Sequence, residues 1–387
     1  MNELDFDVIR PYNDSETQAA IKRIIADNTF HQMMDYLFTP EKKELVLSNI
    51  NKVKNVTEFQ SAFSVPSIEA ILEKTSMGMS YSGFENIVDG EAYLYIANHR
   101  DIVLDSSIIG IAHYRSKIKS PQATWGSNLM VSPLIVDMGK SNKMITVFRE
   151  GSPKELLLNS RRLSTYMRKS ITELNNSVWI AQRKGRAKTG FDKTDVSILK
   201  MLILSGENDI KSKLIDLNIT PVTISYEWEP CDAMKVNETY LSKDKTYVKG
   251  DDEDFMSILG GLTGEKGRIH LTMGKPINDD ILKIDNSHIN NKQFIELVAE
   301  LTDKQIYSNY KLWPSNFLAY DLLNNSTEFS SKYDNNTREV FESRYKNTTK
   351  LAQHDNKEIR ELFLLLYANP VINKLKQTIL VTNGNNI

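Results

Sequence analysis

A histidine and two aspartates follow the first apolar strand that the sequence predicts. His99 comes shortly after residues 93–97, and Asp101 and Asp105 follow it at the start of a predicted helix. A carboxylate on Nδ1 of an imidazole fixes its tautomer and stabilises the charged ring, which leaves Nε2 free to take a proton from an alcohol. A neutral imidazole suits this task because its pKa lies near the operating pH. His99 is therefore a candidate general base, although the helix dipole alone would also explain acidic residues here.

A loop rich in cations follows another apolar strand, residues 177–181. Its basic side chains are Arg183, Lys184, Arg186 and Lys188. Guanidinium groups bind phosphate through two parallel hydrogen bonds, and Gly185 allows the backbone to approach such a ligand closely. The alternative is an ordinary solvated loop. A nucleotide-binding P-loop is excluded, because Phe191 and Asp192 stand where the Gly-Lys pair would be required.

A third polar side chain at a strand end is Arg149, which follows the apolar residues 144–148. Taken by itself, a salt bridge would explain it equally well. Because the carboxyl ends of parallel strands meet at one edge of a sheet, we expect His99, Arg149 and the basic loop to converge. The sequence thus predicts a proton acceptor beside a phosphate site.

The elements that would position these residues alternate between strands and helices. Apolar runs predict five strands, at residues 93–97, 144–148, 177–181, 219–226 and 268–273. Helical spacing predicts helices before residue 78, at 106–113 and 153–174, and again beyond 286. Continuously apolar strands separated by helices are typical of an α/β fold with a mixed, largely parallel sheet covered on both faces. We expect a helical N-terminal region at 1–78, an α/β domain at 79–285 and a helical C-terminal region at 286–387.

Composition narrows the functional classes. The formal net charge of the 387 residues is −2, so global charge does not favour nucleic acid as a partner. Cys231 is the single cysteine, which excludes an internal disulfide and suits a reducing cytoplasm. No histidine pair has metal-ligand spacing, and the Gly-Xaa-Ser-Xaa-Gly elbow of serine hydrolases is absent. The acidic N-terminus does not read as a secretory signal, and no apolar run approaches the roughly 18 residues of a membrane span. We expect a cytoplasmic protein that is peripheral at the inner membrane surface if it meets membrane.

The ordered motifs resemble the glycerolipid acyltransferases, over about residues 80–276. The matching segments are NHRDIVLD at 98–105, the arginine-ending strand at 149, IAQR at 180–183, Pro221-Val222, and ISYEWEPCD at 224–232. The closest resemblance is to a bacterial branch of glycerol and 1-acylglycerol-3-phosphate acyltransferases. The ordered set is specific, although each motif alone is modest.

This resemblance implies a phospholipid-synthesis enzyme that moves an acyl group from acyl-CoA or acyl-carrier protein to a glycerol phosphate or lysophospholipid acceptor. His99 would be the general base and Asp105 would orient it, without a metal, a cofactor or an acyl-enzyme intermediate. Arg149, Arg183, Gly185, Arg186 and Lys188 would hold the acceptor phosphate. The resemblance also implies work at a membrane surface.

Two departures from the family pattern keep alternatives open. The family has four residues between the histidine and its aspartate. In this chain five residues lie between His99 and Asp105, and one residue lies between His99 and Asp101. One extra residue turns a helix by about 100°, and we favour Asp105 because its reach matches the family better. Lys184 stands where the family usually has glutamate. The alternatives are a non-catalytic phosphate- or lipid-binding module of the same fold, and an acyltransferase for another acceptor, such as an ornithine lipid or a sugar.

Overall fold

The computed structural model describes residues 4–244, 246–248, 250 and 252–384, with the backbone alone for 378–384. Its centre is a seven-stranded sheet in the order β1-β7-β6-β2-β5-β3-β4. The strands are β1 Met79–Ser82, β2 Leu94–Ala97, β3 Gln122–Gly126, β4 Met144–Val147, β5 Val178–Ala181, β6 Ile219–Tyr226 and β7 Ile269–Met273. β6, β2, β5, β3 and β4 run parallel, β7 is antiparallel to β6, and β1 is parallel to β7.

Both faces of the sheet are covered, as the sequence predicts. Along β2, Tyr95 and Ala97 pack into a core shared with the N-terminal helices, whereas Leu94 and Ile96 pack into a second core on the opposite face. All four side chains of this strand are buried. A fully buried Leu or Ile contributes about 1.5–3 kcal/mol to stability relative to an exposed one. The predicted α/β class and the mixed, largely parallel sheet are therefore confirmed.

Helices occupy the chain before the sheet and between its strands. The N-terminal ones are α1 Asp14–Ala26, α2 Asn28–Leu37, α3 Pro40–Ile50, α4 Val56–Phe59 and α5 Val65–Thr75. Those between strands are α6 Leu104–Arg115, α7 Pro133–Ser141, α8 Pro153–Thr172, α9 Val196–Leu202, α10 Ile210–Ile215, α11 Asp232–Leu241 and α12 Glu253–Thr263. α8 begins where the sequence predicts, because Ser152 and Glu155 form a capping box around Pro153.

The chain after the sheet is helical as well. Its helices are α13 Asn278–Lys283, α14 Asn291–Ser308, α15 Pro314–Asn324, α16 Asn335–Ala352 and α17 Lys357–Gly384. α14 packs on the face that carries Leu94, and α15 to α17 form a third core with Trp228 and Val236. Both terminal regions thus share cores with sheet residues, while the proposed domain limits at 78/79 and 285/286 stay predictions. Among the helices described, none is long and apolar enough to cross a membrane.

Two strands escape the sequence prediction. β1 alternates half-buried and exposed residues at the sheet edge, so it has no continuous apolar run. β3 is mostly buried, but its five residues include Gln122, Thr124 and Gly126, which interrupt the apolar pattern. β3 lies between β5 and β4, and its absence from the prediction leaves out one wall of the site described below.

Candidate active site

His99 contacts one of the two candidate aspartates. Its Nδ1 lies 2.9 Å from Oδ2 of Asp105, and both side chains are buried. The contact forms because α6 begins at Leu104, which places Asp105 in the first turn with its carboxylate facing back toward the loop. Of the two alternatives that the sequence leaves open, Asp105 is therefore the one that contacts the imidazole. With Nδ1 occupied, Nε2 is the nitrogen that remains for a substrate.

The Asp105 carboxylate accepts hydrogen bonds from three further groups. The backbone N–H groups of Arg100 and Asp101 donate to Oδ2, at 2.6 and 2.9 Å. The hydroxyl of Tyr226, at the end of β6, donates to Oδ1 at 2.9 Å. Both oxygens of this fully buried carboxylate therefore have hydrogen-bond partners, as a buried polar group requires. Asp105 is thus equipped to fix the orientation of His99.

Asp101 has a different role in the same loop. Its Oδ1 accepts from the N–H groups of Val103 and Leu104, so it caps the start of α6. Its Oδ2 is buried without a hydrogen-bond partner and lies against the backbone of Gly261, where a Cβ would come within 2.2 Å of it. Burial, followed by the charge of Asp105, raises the pKa of the Asp101 carboxyl. Asp101 is a capping residue rather than the partner of His99.

A buried ion network holds this loop from behind. The Arg100 guanidinium pairs with Asp192 at 2.6 Å and with Glu229 at 3.3 Å. Nζ of Lys235 donates to both Glu229 and the carbonyl of Arg100, each at 2.6 Å. Tyr310, which precedes α15, also donates to Asp192 at 2.6 Å. The peptide whose N–H binds Asp105 is thereby anchored to β6 and to the C-terminal region.

A cleft of about 640 Å³ opens beside His99 at the carboxyl edge of β2, β5, β3 and β4. The predicted residues that line it are His99, Arg149, Arg183, Gly185, Arg186 and Lys188, while Asp105 lies behind His99. The N–H of Ala187 donates to the carbonyl of His99 at 2.8 Å, so the basic loop is joined to the histidine loop. The structure therefore brings the predicted residues together.

The cationic side chains around the cleft differ in whether they have hydrogen-bond or ion-pair partners. Arg186 is only 5% exposed, yet its Nη1 has no hydrogen-bond partner. Lys188 pairs with Glu238 at 2.5 Å. Burial lowers the pKa of the Arg149 guanidinium, opposed by the charge of Asp254. An anion in the cleft would give Arg186 and Arg149 the partner that the described protein residues do not fully supply.

Two glycines lie beside cationic residues that line the cleft. Gly185 has φ +74°, a left-handed conformation that favours glycine in the basic loop. Gly126, at the end of β3, lies under the Arg149 side chain, where a Cβ would come within 2.9 Å of Nε. The space that Gly126 leaves free is filled by the guanidinium of Arg149.

Apolar side chains also line the cleft. They include Leu129, Val147, Phe148, Leu156, Leu163, Ile198 and Met201. Trp179 on β5 stands edge-on to His99, with ring centroids 6.2 Å apart. Ligand pockets of several hundred Å³ commonly combine such an apolar lining with a few polar groups. Within the described part of the chain, no group of His, Cys, Asp or Glu side chains could hold a metal ion.

Several site residues were missed at the sequence level. Tyr226 lies in a predicted strand but carries no local sign of its contact with Asp105, which is 121 residues away. Gly126 and Asn128 were missed together with β3, although a glycine after Trp125 marked a strand end. Ile198 and Met201 belong to α9, which the sequence prediction omitted although residues 196–204 form an apolar run between polar segments.

Comparison with known proteins gives partial likenesses. No family model matches the chain. Bifunctional protein GlmU of Methanococcus maripaludis is 24% identical over 208 residues, which make up 53% of this chain and less than half, 45%, of GlmU. A crystal structure of the 1-acyl-sn-glycerophosphate acyltransferase PlsC from Thermotoga maritima has a TM-score of 0.36 and 12% identity, over 77% of this chain and 98% of that one. This neighbour is an acyltransferase of the class that the sequence motifs resemble, but backbones at such a TM-score diverge too far to support a function.

Proposed function

We propose that this protein is an O-acyltransferase that moves a fatty acyl group from an acyl thioester to a hydroxyl of a glycerol phosphate or lysophosphatidate. The observation that carries the proposal is the His99–Asp105 pair, 2.9 Å apart, at the wall of a cleft that Arg149 and Arg186 also line. A proton acceptor beside unsatisfied cations suits an acceptor that has both a hydroxyl and a phosphate.

In this mechanism, Nε2 of His99 takes the proton of the acceptor hydroxyl while its oxygen attacks the thioester carbonyl carbon. Asp105 holds the ring and stabilises the imidazolium that forms. The tetrahedral intermediate then expels the thiolate, which receives the proton from the imidazolium. The products are an ester and a free thiol, and His99 returns to its neutral form. All bonds and protons balance without a cofactor.

The cationic and apolar residues that line the cleft suit different parts of the substrates. The phosphate of the acceptor binds Arg149, Arg186 and the remainder of the basic loop, whose planar guanidinium groups match phosphate oxygens. The acyl chain contacts apolar lining residues such as Val147, Phe148 and Leu156. Acyl-CoA and acyl-carrier protein share the thioester chemistry, and both are candidate donors. A membrane surface would present the lysophosphatidate.

The experiment measures thiol release and ester formation by the full chain. Each thioester donor is offered with glycerol phosphate and with lysophosphatidate. His99→Ala should lower kcat/KM by about 10²–10⁴-fold, the usual contribution of a general base. The matched control is His270→Ala, because His270 is half-buried on β7, where its ring contacts Ser80 and Ser82 rather than the cleft.

Three results would change the proposal. Full activity in His99→Ala would exclude His99 as the base. Transfer to an ornithine lipid or a sugar, but not to a glycerol phosphate, would retain the acyltransferase and change its acceptor. Absence of transfer to any acceptor, together with saturable binding of lysophosphatidate, would favour the non-catalytic lipid- and phosphate-binding module.

A further inference from the structure

Tyr226 is placed to act on the His99–Asp105 pair from the far side. It ends β6, is 4% exposed, and its hydroxyl donates to Oδ1 of Asp105 at 2.9 Å. His99 contacts the other oxygen of the same carboxylate, Oδ2. The three side chains therefore form a chain of two hydrogen bonds that runs from the cleft into the core between β6 and α6.

The surroundings keep the Tyr226 hydroxyl protonated. Burial, then the charges of Asp105 and Asp101, raise the pKa of this hydroxyl well above its usual value. A protonated hydroxyl is the donor in its contact with the Asp105 carboxylate. Each donor to a carboxylate withdraws some of the negative charge that would otherwise stabilise a protonated imidazole.

Other ionisable groups near the pair belong to several elements. They are Arg100 and Asp101 before α6, Arg186 after β5, Glu229 and Cys231 after β6, and Lys266 before β7. Arg100 and Glu229 are paired with each other at 3.3 Å. Among the described side chains, Tyr226 is the one apart from His99 that donates directly to Asp105.

We propose that Tyr226 is a positioning residue that orients Asp105 and sets how readily His99 takes up a proton. The role in catalysis rests on the proposed function of His99 as a base, whereas the effect on proton uptake does not. By drawing charge from Asp105, Tyr226 weakens the stabilisation that this carboxylate gives to a protonated imidazole. Tyr226 does not touch the substrate.

The test compares Tyr226→Phe with Tyr95→Phe. Tyr95 is a matched control because it is 1% exposed, lies in the same core and contacts His113 rather than Asp105. Proton uptake is followed by NMR of the histidine Cε1–H groups in the full chain, with the His99 signal assigned by its loss in His99→Asn. Without Tyr226, the pair gains a proton at higher pH, and we expect the His99 titration midpoint to rise by about 0.5–1 pH unit in Tyr226→Phe alone.

Activity provides the second readout. In Tyr226→Phe the acidic limb of the kcat/KM profile should move upward by the same amount, and activity should recover to within about threefold of wild type above that limb. A merely structural role would lower activity at every pH. Equal titration midpoints in the wild type and both variants would overturn the inference. An upward NMR shift in a wild-type protein that transfers no acyl group would support Tyr226 while rejecting the proposed function.

Discussion

The loop after β2 and the loop after β5 are neighbours joined by a backbone hydrogen bond. They differ in how far their arginine side chains are paired with carboxylates. In the first loop, His99 contacts Asp105 and Arg100 is paired with both Asp192 and Glu229. In the second loop, Arg186 is almost fully buried and still leaves Nη1 without a partner. Arg100 in the first loop thus has two carboxylate partners, whereas no ion pair of Arg186 is found among the described residues.

The difference in pairing suggests a different role for each loop. A buried charge that lacks a partner is costly, and a fold retains one only where something offsets the cost. The contact with Asp105 holds the His99 ring in one orientation before any substrate arrives. Under the proposed function, the first loop supplies this preorganised base, and Arg186 of the second loop binds the phosphate together with Arg149 after β4.

The largest expected loss of activity follows substitution of Asp105, and Asp101 in the same loop is the comparison. Asp105→Asn should lower kcat by about 10²–10⁴-fold, because an amide can stabilise the wrong tautomer of His99. Asp101→Asn should lower it by less than about tenfold, since its remaining oxygen can still cap α6. The measurement is kcat for both variants with saturating acceptor. A larger loss in Asp101→Asn would reverse their assignment.

Substituting one arginine in each loop tests the comparison through two quantities, the free energy of unfolding and the acceptor KM. Arg100→Met should lower the free energy of unfolding by about 3–5 kcal/mol, because buried Asp192 loses its ion pair and keeps only hydrogen bonds, while Glu229 keeps only Lys235. Arg186→Met should leave that free energy within about 1 kcal/mol of wild type, and should raise the acceptor KM by about 10–100-fold through loss of a charged hydrogen bond. Urea unfolding and steady-state kinetics measure the two quantities. Lys200→Ala, an exposed change on α9, is the control.

A smaller effect is expected from Gly126→Ala. The new Cβ would lie 2.5 Å from Oδ1 of Asn128 and 2.9 Å from Nε of Arg149, so both side chains must move and the acceptor KM should rise about threefold to tenfold. Gly110→Ala is the control, because nothing lies within 4 Å of its Cβ position in α6. An unchanged KM in Gly126→Ala would mean that Arg149 does not bind the acceptor.

The smallest effect should come from Lys184→Glu. Lys184 is exposed at the cleft rim, so reversing its charge should raise the acceptor KM only about twofold to fivefold at low ionic strength. The difference should disappear at high salt, where exposed charges are screened. Lys193→Glu, another exposed position, is the control. A lower KM in Lys184→Glu would show that Lys184 opposes acceptor binding.

The sequence by itself determined five of the seven strands described and the residues that follow them. β2, β5 and β6 were predictable because strands buried on both faces require continuous apolar runs. His99, Arg149 and the basic loop were predictable as neighbours because parallel strands share a carboxyl edge. β1 and β3 were not, since an exposed edge strand and a short strand with polar residues lack that local signal.

Only the tertiary structure decided which groups touch. The partner of His99 depended on α6 beginning at Leu104, which spacing along the chain left open between two aspartates. The contact from Tyr226 and the pairing of Arg100 with Glu229 join residues more than a hundred positions apart. Periodicity reports which face of an element is apolar, whereas a hydrogen bond depends on ångström-scale distances that packing of the whole chain sets.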